Sequence, residues 1–376
     1  MKKLPVITAL LLLSACIYRF DPDVSEDVGR LVIEGDILIG DTTVVRVTRL
    51  KPLAGASSQK VPAHMVWVET SGGNKIYPYR RSSDTSFIDT SAPYTEGSFR
   101  LRLSTAEGQE YASSWQEVQP APTIKKVAWA PDGNDLVLRI DMNAASGSGC
   151  YRWDYEETWQ YHALFRPQYE LDLETGKYID HMNEPTWWQY YWCWKRRPSY
   201  EAGLAITKTL QGKALKDHAF LRIPLDDIRL QRMYRIRLKA RVISEECYNY
   251  LHTLDETSDN AGSLTSPNPS ELVGNIINID DPTDYAIGYI EAARVVEKTY
   301  YVNNSYYRGW IEGDDGELFA ADARDVDISR VEFYNMGYRP IKMIADTVRW
   351  GQIRCIDCRL SGGTTTKPDA WPTNDL

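Results

Sequence analysis

The chain has 376 residues, 43% hydrophobic and 25% charged, enough apolar side chain for two or three domain cores and too much for wholesale disorder. A formal net charge of −9 excludes nucleic acid as an expected partner, because phosphate binding needs a basic surface. With 24 Tyr and 12 Trp against 7 Phe, the aromatic content favours β-structure over long helical bundles.

Residues 1–15 read as an export signal: Lys2 and Lys3 precede an apolar run from Leu4 to Leu13 that is too short to span a bilayer as a helix. The run ends in Leu13-Ser14-Ala15-Cys16, which resembles the lipobox of bacterial lipoproteins. That resemblance implies cleavage before Cys16 and lipidation of its N-terminus, the alternative being an ordinary secretory signal with an incidental cysteine. Residues 16–30, with Asp21, Asp23, Glu26 and Asp27, are expected to form an acidic tether. Lacking a second segment of spanning length, the protein is expected to hold the membrane by its lipid alone. The acidic stretch resembles surface-export signals of Bacteroidetes lipoproteins, which implies the outer membrane and the cell surface.

The fold class expected is mainly β, with two β-sandwich domains of immunoglobulin or fibronectin type and minor helix. Residues 31–120 form the first sandwich, with strands at Leu31 to Ile33, Thr43 to Thr48, Met65 to Glu69 and Phe99 to Leu103, separated by turn residues such as Gly72-Gly73. Pro120-Ala121-Pro122 marks a boundary. Residues 121–376 form the second, fibronectin-like domain, entered by a hairpin from Lys126 to Met142 across Asp132-Gly133-Asn134. Further on, Tyr234, Ile236, Leu238, Ala240 and Val242 alternate with Arg235, Arg237, Lys239 and Arg241, a strand with one apolar face and one basic, solvated face. Helical spacing of Tyr248, Leu251 and Leu254 predicts a helix within Glu245 to Asp255. Strands are expected near Ala286 to Ala292, Lys298 to Val302, Val331 to Asn335 and Met343 to Arg349.

Half the tryptophans fall in an aromatic-rich insertion at 151–200. Along its first strand Tyr151, Trp153, Tyr155, Trp159 and Tyr161 share one face, which must be buried. The segment 187–194 is aromatic on both faces. Pairing it antiparallel with the first strand, Tyr151 opposite Trp192, gathers the large rings and sets Cys150 opposite Cys193, predicting a disulfide. Trp187, Gln189 and Tyr191 are then left on the polar side. They are covered by the 163–186 loop, covered by another protein, or offered to a ligand, and flat rings suit sugars and peptides alike.

Export permits disulfides, and Cys150, Cys193, Cys247, Cys355 and Cys358 remain besides Cys16, an odd number. Cys355 and Cys358 are expected close together, as a disulfide or as buried thiols, and without metal, since no second pair of matching spacing accompanies them. No nucleophile elbow, zinc-protease helix, phosphate loop or kinase set occurs, so no catalytic residue, metal or cofactor is assigned. The acidic groups Asp280, Asp281 and Asp284, and Asp322, Asp325 and Asp327, match no EF-hand loop and read as solvated turns.

Several stretches together resemble a Bacteroidetes outer-membrane lipoprotein family known as a domain of unknown function (family 4249). They are Cys16, Leu31-Val32-Ile33-Glu34-Gly35, Gly262-Ser263-Leu264 with Pro267 and Pro269, Gly274-Asn275-Ile276, Gly288-Tyr289, Cys355-Ile356-Asp357-Cys358-Arg359, Gly362-Gly363, Lys367-Pro368 and Trp371-Pro372. The resemblance implies a place beside TonB-dependent transporters and their starch-utilisation-type substrate-binding lipoproteins, hence an accessory role in nutrient import. Cys247 sits where the family suggests an ordinary residue and is the candidate unpaired thiol. The expectation is therefore a non-enzymatic binding or accessory subunit, with glycan or peptide as possible ligand. A surface hydrolase and a purely structural subunit are the alternatives.

Overall fold

The computed structural model describes residues 29–50, 64–91, 97–144, 146–184, 186–199, 202–207, 214–259, 273–303 and 329–372. The export signal, Cys16, the tether to residue 28, Gly262 to Pro269 and the acidic group Asp322, Asp325 and Asp327 lie outside the described residues.

The protein is mainly β. Its first sandwich begins with β1 (Leu31–Glu34), β2 (Ile37–Ile39), β3 (Thr42–Arg49), β4 (Met65–Thr70), β5 (Lys75–Ile76), β6 (Pro78–Arg81), β7 (Thr85–Asp89), β8 (Ser98–Ser104), β9 (Glu110–Ser113) and β10 (Gln116–Glu117). One sheet runs β1-β3-β7-β6, and the other contains β9-β8-β4-β5. Period-two alternation builds the core: Leu31 and Ile33, Val45 and Val47, and Phe99, Leu101 and Leu103 all point inward and are buried.

The second sandwich holds β11 (Thr123–Asp132), β12 (Asp135–Asn143), β13 (Cys150–His162), β14 (Tyr169–Leu171), β15 (Tyr178–Asp180), β16 (Trp192–Pro198), β17 (Gly203–Ile206), β18 (Ala214–Pro224) and β19 (Met233–Ile243). Helix α1 (Glu245–Asp259) follows, begun by Ser244, whose hydroxyl accepts from the Cys247 N–H. Its buried side is carried by Cys247 and Tyr250, while Leu254 faces outward. The chain then returns to the first sandwich. There β20 (Ile276–Asn278) pairs with β9, β21 (Tyr285–Ala286) pairs with β20, and β22 (Ala292–Arg294) runs parallel to β2. The core built by residues 31–120 thus also contains Ile276, Ala286, Ile290 and Ala292. Strand β23 (Val296–Asn303) goes back to pair with β19.

The two sheets of the second sandwich are β11-β12-β18 and β16-β13-β19-β23, with β17 a fifth strand of the latter paired to β13; the order is like that of a fibronectin type III domain. On β13 the odd-numbered face is buried as its sequence dictates, Tyr151, Trp153, Trp159 and Tyr161 all lying inside. Glu157 lies on that same face, tolerated because Arg229 (2.7 Å), Arg197 and the Tyr234 hydroxyl (2.9 Å) satisfy it.

Two predicted strands near the end take other forms. Residues 331–335 belong to helix α2 (Arg330–Asn335), because Ser329 and Glu332 form a capping box that outweighs the β-propensity of Val331, Phe333 and Tyr334. The stretch from Met343 to Arg349 is interrupted by a turn, with Ala345 and Asp346 at positive φ, between β24 (Tyr338–Ile344) and β25 (Thr347–Gln352). Trp350 is fully buried there among Leu171, Phe333 and Val348.

The basic stripe on β19 is only partly solvated. Arg241, with a 5% exposed side chain, meets Asp36 of the first sandwich at 2.8 Å and Asp154 at 2.7 Å. Arg152 reaches Asp36 at 2.7 Å, and Lys239 pairs with Asp41. Burial works to raise the Asp36 pKa, but the Arg152 and Arg241 charges outweigh it and hold the carboxyl below its ordinary value.

Candidate functional site

Strand β13 is long enough to take two partners in succession on one edge, and this decides the geometry of the aromatic insertion. Its first part pairs with β17, Tyr151 opposite Ala205 and Trp153 opposite Gly203. A side chain at 203 would lie 2.1 Å from the Trp153 indole, so the large ring selects the smallest partner. The second part pairs with β16, Tyr161 opposite Cys193 and His162 opposite Trp192. The predicted register, with Tyr151 opposite Trp192, is therefore replaced. So is the predicted disulfide: Cys150 lies opposite Ile206 and Ile243, outside any disulfide and buried with Cys247 against α1.

Cys193 bonds instead to Cys358, 165 residues on, with a Cα to Cα distance of 5.7 Å. A Cys355–Cys358 disulfide is thereby ruled out, and of the two alternatives Cys355 takes that of a buried thiol, beside Ile341, Ile356 and Phe165. Cys247 stays outside the disulfide, and burial pushes its thiol pKa upward. Around the staple, the Tyr161 hydroxyl donates to the Cys358 carbonyl at 2.7 Å. Gly363 passes so close that a Cβ there would stand 2.3 Å from the Tyr161 hydroxyl oxygen. The segment from Cys358 to Trp371 is thereby strapped across the sandwich, its Thr364 exchanging both backbone hydrogen bonds with Trp194.

Residues 187–191 precede β16 as turns and bends, so strand alternation does not govern where they point. Trp187 is half-buried on the 163–186 insertion: it stacks on His181 (4.1 Å, 15°), and its indole N–H donates to the Pro167 carbonyl at 3.1 Å. His181 is also held by Glu184 (3.1 Å) and Glu170 (3.2 Å). Burial works to lower the His181 pKa, but the hydrogen bonds that the imidazole donates to the two carboxylates prevail and raise it. Trp188 anchors the band from below, donating to the Ile356 carbonyl at 2.6 Å. Gln189 is exposed beside it. Tyr190 lies under the Arg359 guanidinium at 3.4 Å. Tyr191, also half-buried, stacks on His162 (4.9 Å, 24°), and Trp192 meets the same imidazole edge-on.

Trp187, Gln189 and Tyr191 therefore sit within one short segment, and the two rings have different supports. Those supports, His181 and His162, were not legible in the sequence, because neither lies at a motif spacing from its ring. What results is a band of partly exposed ring faces with a polar rim, held by the disulfide and the strap, a surface able to stack on a flat ligand or pack against a partner.

Two linked sandwiches, the second with a strand order like that of fibronectin type III and carrying an aromatic insertion, define the class as a mainly β, two-sandwich protein. The chain belongs to the family described as a domain of unknown function (DUF4249), whose model matches residues 17–299. The match ends within β23, so the strap and Cys355 to Cys358 lie beyond it. Among curated proteins none is significantly similar to the chain. Among the described residues no helix is long and apolar enough to cross a membrane.

Proposed function

We propose that this protein is a lipid-anchored accessory subunit of a TonB-dependent uptake complex, held to the outer membrane through Cys16 and facing the cell surface. In this reading the band carrying Trp187, Gln189 and Tyr191 contacts the transporter, its substrate-binding lipoprotein, or the glycan or peptide being imported. The observation that carries the proposal is the placement of Trp187: a large, partly exposed ring fixed by stacking on His181 and by its indole hydrogen bond to the Pro167 carbonyl. A ring fixed in this way loses little conformational entropy on contact, which is how aromatic anchors gain their binding energy.

The test is capture of the full-length chain from detergent-solubilised native membranes. Recovery of a TonB-dependent transporter with the wild type, and its loss with Trp187→Ala/Tyr191→Ala at unchanged folding, supports the role. Recovery of no transporter removes it. Cys16→Ser is expected to shift the protein out of the lipid-anchored fraction, and a native Cys16 of unmodified mass would end the anchoring part of the reading.

A further inference from the structure

The strap does more than cover β16. With the outer face of the β16-β13-β19-β23 sheet it encloses a cleft of about 730 Å³, whose walls include Trp194, Lys195, Arg235, Tyr301, Thr366 and Lys367. This volume is within the range of small-ligand sites.

The cations of this cleft fall into two groups. Arg196 and Arg237 are neutralised, both pairing with Glu156, and Glu297 lies 4.0 Å from Arg237. Arg235, Lys195 and Lys367 are not. Arg235 donates to the Thr158 hydroxyl and the Asp369 carbonyl, each at 3.1 Å, and lies over the buried Trp371 ring at 5.3 Å. Lys195 donates to the Ser361 carbonyl at 2.8 Å and Lys367 to the Pro372 carbonyl at 3.0 Å. Among the described residues none of these three meets a carboxylate. Asp369 also lines the cleft, so its walls carry five cations and three acidic residues; in a protein of net charge −9 this surplus, with three of the cations partnered only by neutral oxygens, forms a local positive field.

We infer that this cleft is a binding site for a carboxylate-bearing oligosaccharide. The three cations supply the counter-charge, and an arginine is the side chain best shaped to take a carboxylate by two parallel hydrogen bonds. Trp194 and Tyr301 supply ring faces at opposite sides of the cleft, on β16 and β23. Thr364 and Thr366 supply hydroxyls suited to sugar hydroxyls, while the buried Thr158 hydroxyl serves to hold Arg235. An extended peptide is the less favoured occupant. Peptides in β-sandwiches are commonly captured by adding a strand to a sheet edge, and here Thr364 already takes both backbone hydrogen bonds of Trp194 on β16. This site is separate from the aromatic band and does not depend on the transporter association proposed above.

The test is calorimetric titration of the purified full chain with trigalacturonate, with the same trisaccharide fully methyl-esterified, and with tetraglutamate. Trigalacturonate is expected to bind at least tenfold more tightly than its ester, and to weaken as salt rises, since the cations are partly exposed. Lys195→Gln/Lys367→Gln removes two outward-facing charges without touching a core. It is expected to cost tenfold or more in affinity at an unchanged melting temperature. Arg235→Gln is expected to do the same, and the lysine variant keeps the test valid if losing the Trp371 contact unfolds the strap. Equal binding of acid and ester, unchanged affinity in the lysine variant, or no binding of trigalacturonate overturns the inference. Tighter binding of tetraglutamate than of the sugar overturns it in favour of peptide. Because no transporter is present, this outcome is read independently of the membrane capture experiment.

Discussion

Replacing Asp36 by Asn isolates a buried ionic contact between the two sandwiches. Asp36 is buried, and its Oδ2 is 2.8 Å from Arg241 and 2.7 Å from Arg152. Removing one member of a buried ion pair costs roughly 3–5 kcal/mol, because the charge left behind has lost its water as well as its partner. Here Arg241 keeps Asp154, and the Arg152 side chain is 19% exposed, so the lower end, about 3 kcal/mol, is expected. At roughly 2–4 °C per kcal/mol, the melting temperature falls by about 6–12 °C. Lys239→Gln is the internal comparison. Its pair with Asp41 has both side chains more than a quarter exposed, and solvent-screened pairs contribute about 0–1 kcal/mol. Scanning calorimetry on the wild type and both variants measures the difference. The pH dependence supplies a second check. Since the Asp36 pKa is depressed in the folded state, its contribution is present above the ordinary aspartate range and is lost as pH falls through the folded value. A shift of less than 1 °C for Asp36→Asn, or one equal to that of Lys239→Gln, would refute the argument that this buried contact ties the sandwiches together.

Non-reducing peptide mapping is expected to recover Cys193 linked to Cys358. Cys193→Ala/Cys358→Ala should lower stability by up to roughly 5 kcal/mol, the chain-entropy figure for so long a loop, and recovery of a Cys150–Cys193 peptide instead would contradict the register of β13. Trp153→Ala should cost about 3–5 kcal/mol, because the ring is buried against Ala205 and Leu215, whereas Trp187→Ala/Tyr191→Ala should move melting only a few degrees; equal losses would make the band core rather than surface. His181 is expected to titrate above an ordinary histidine, so its ion pairs stabilise the insertion fully below about pH 6.5 and fade as pH rises through the raised pKa. Imidazole NMR titration checks this, with Glu184→Gln expected to bring the pKa down; an unaltered value would remove the carboxylates as its cause.

The alternation of apolar and polar residues made β1, β3, β8, β13 and β19 legible without any structure. The buried side of a strand is set by a two-residue period that only local sequence can write. For the same reason the aromatic face of β13 and the fibronectin-like hairpin β11-β12 were readable, and helix α2 was within reach through Ser329 and Glu332, a local capping signal stronger than the strand propensity around it. Pairing between distant segments was not readable. Matching large rings put Cys193 opposite Cys150, but Trp153 instead faces Gly203, and the true partner, Cys358, is 165 residues away. The entry of residues 276–294 into the first sandwich, the burial of Arg241 against Asp36, and the cleft beneath the strap share this origin. Each joins residues whose separation along the chain carries no periodic signal, and each is selected by volume, charge and hydrogen bonding once the sheets have packed. Sequence alone determined the strand faces; which cysteine is bonded, which cation lacks a carboxylate and which ring stays open were decided only by the tertiary structure, because those are properties of contacts between distant residues.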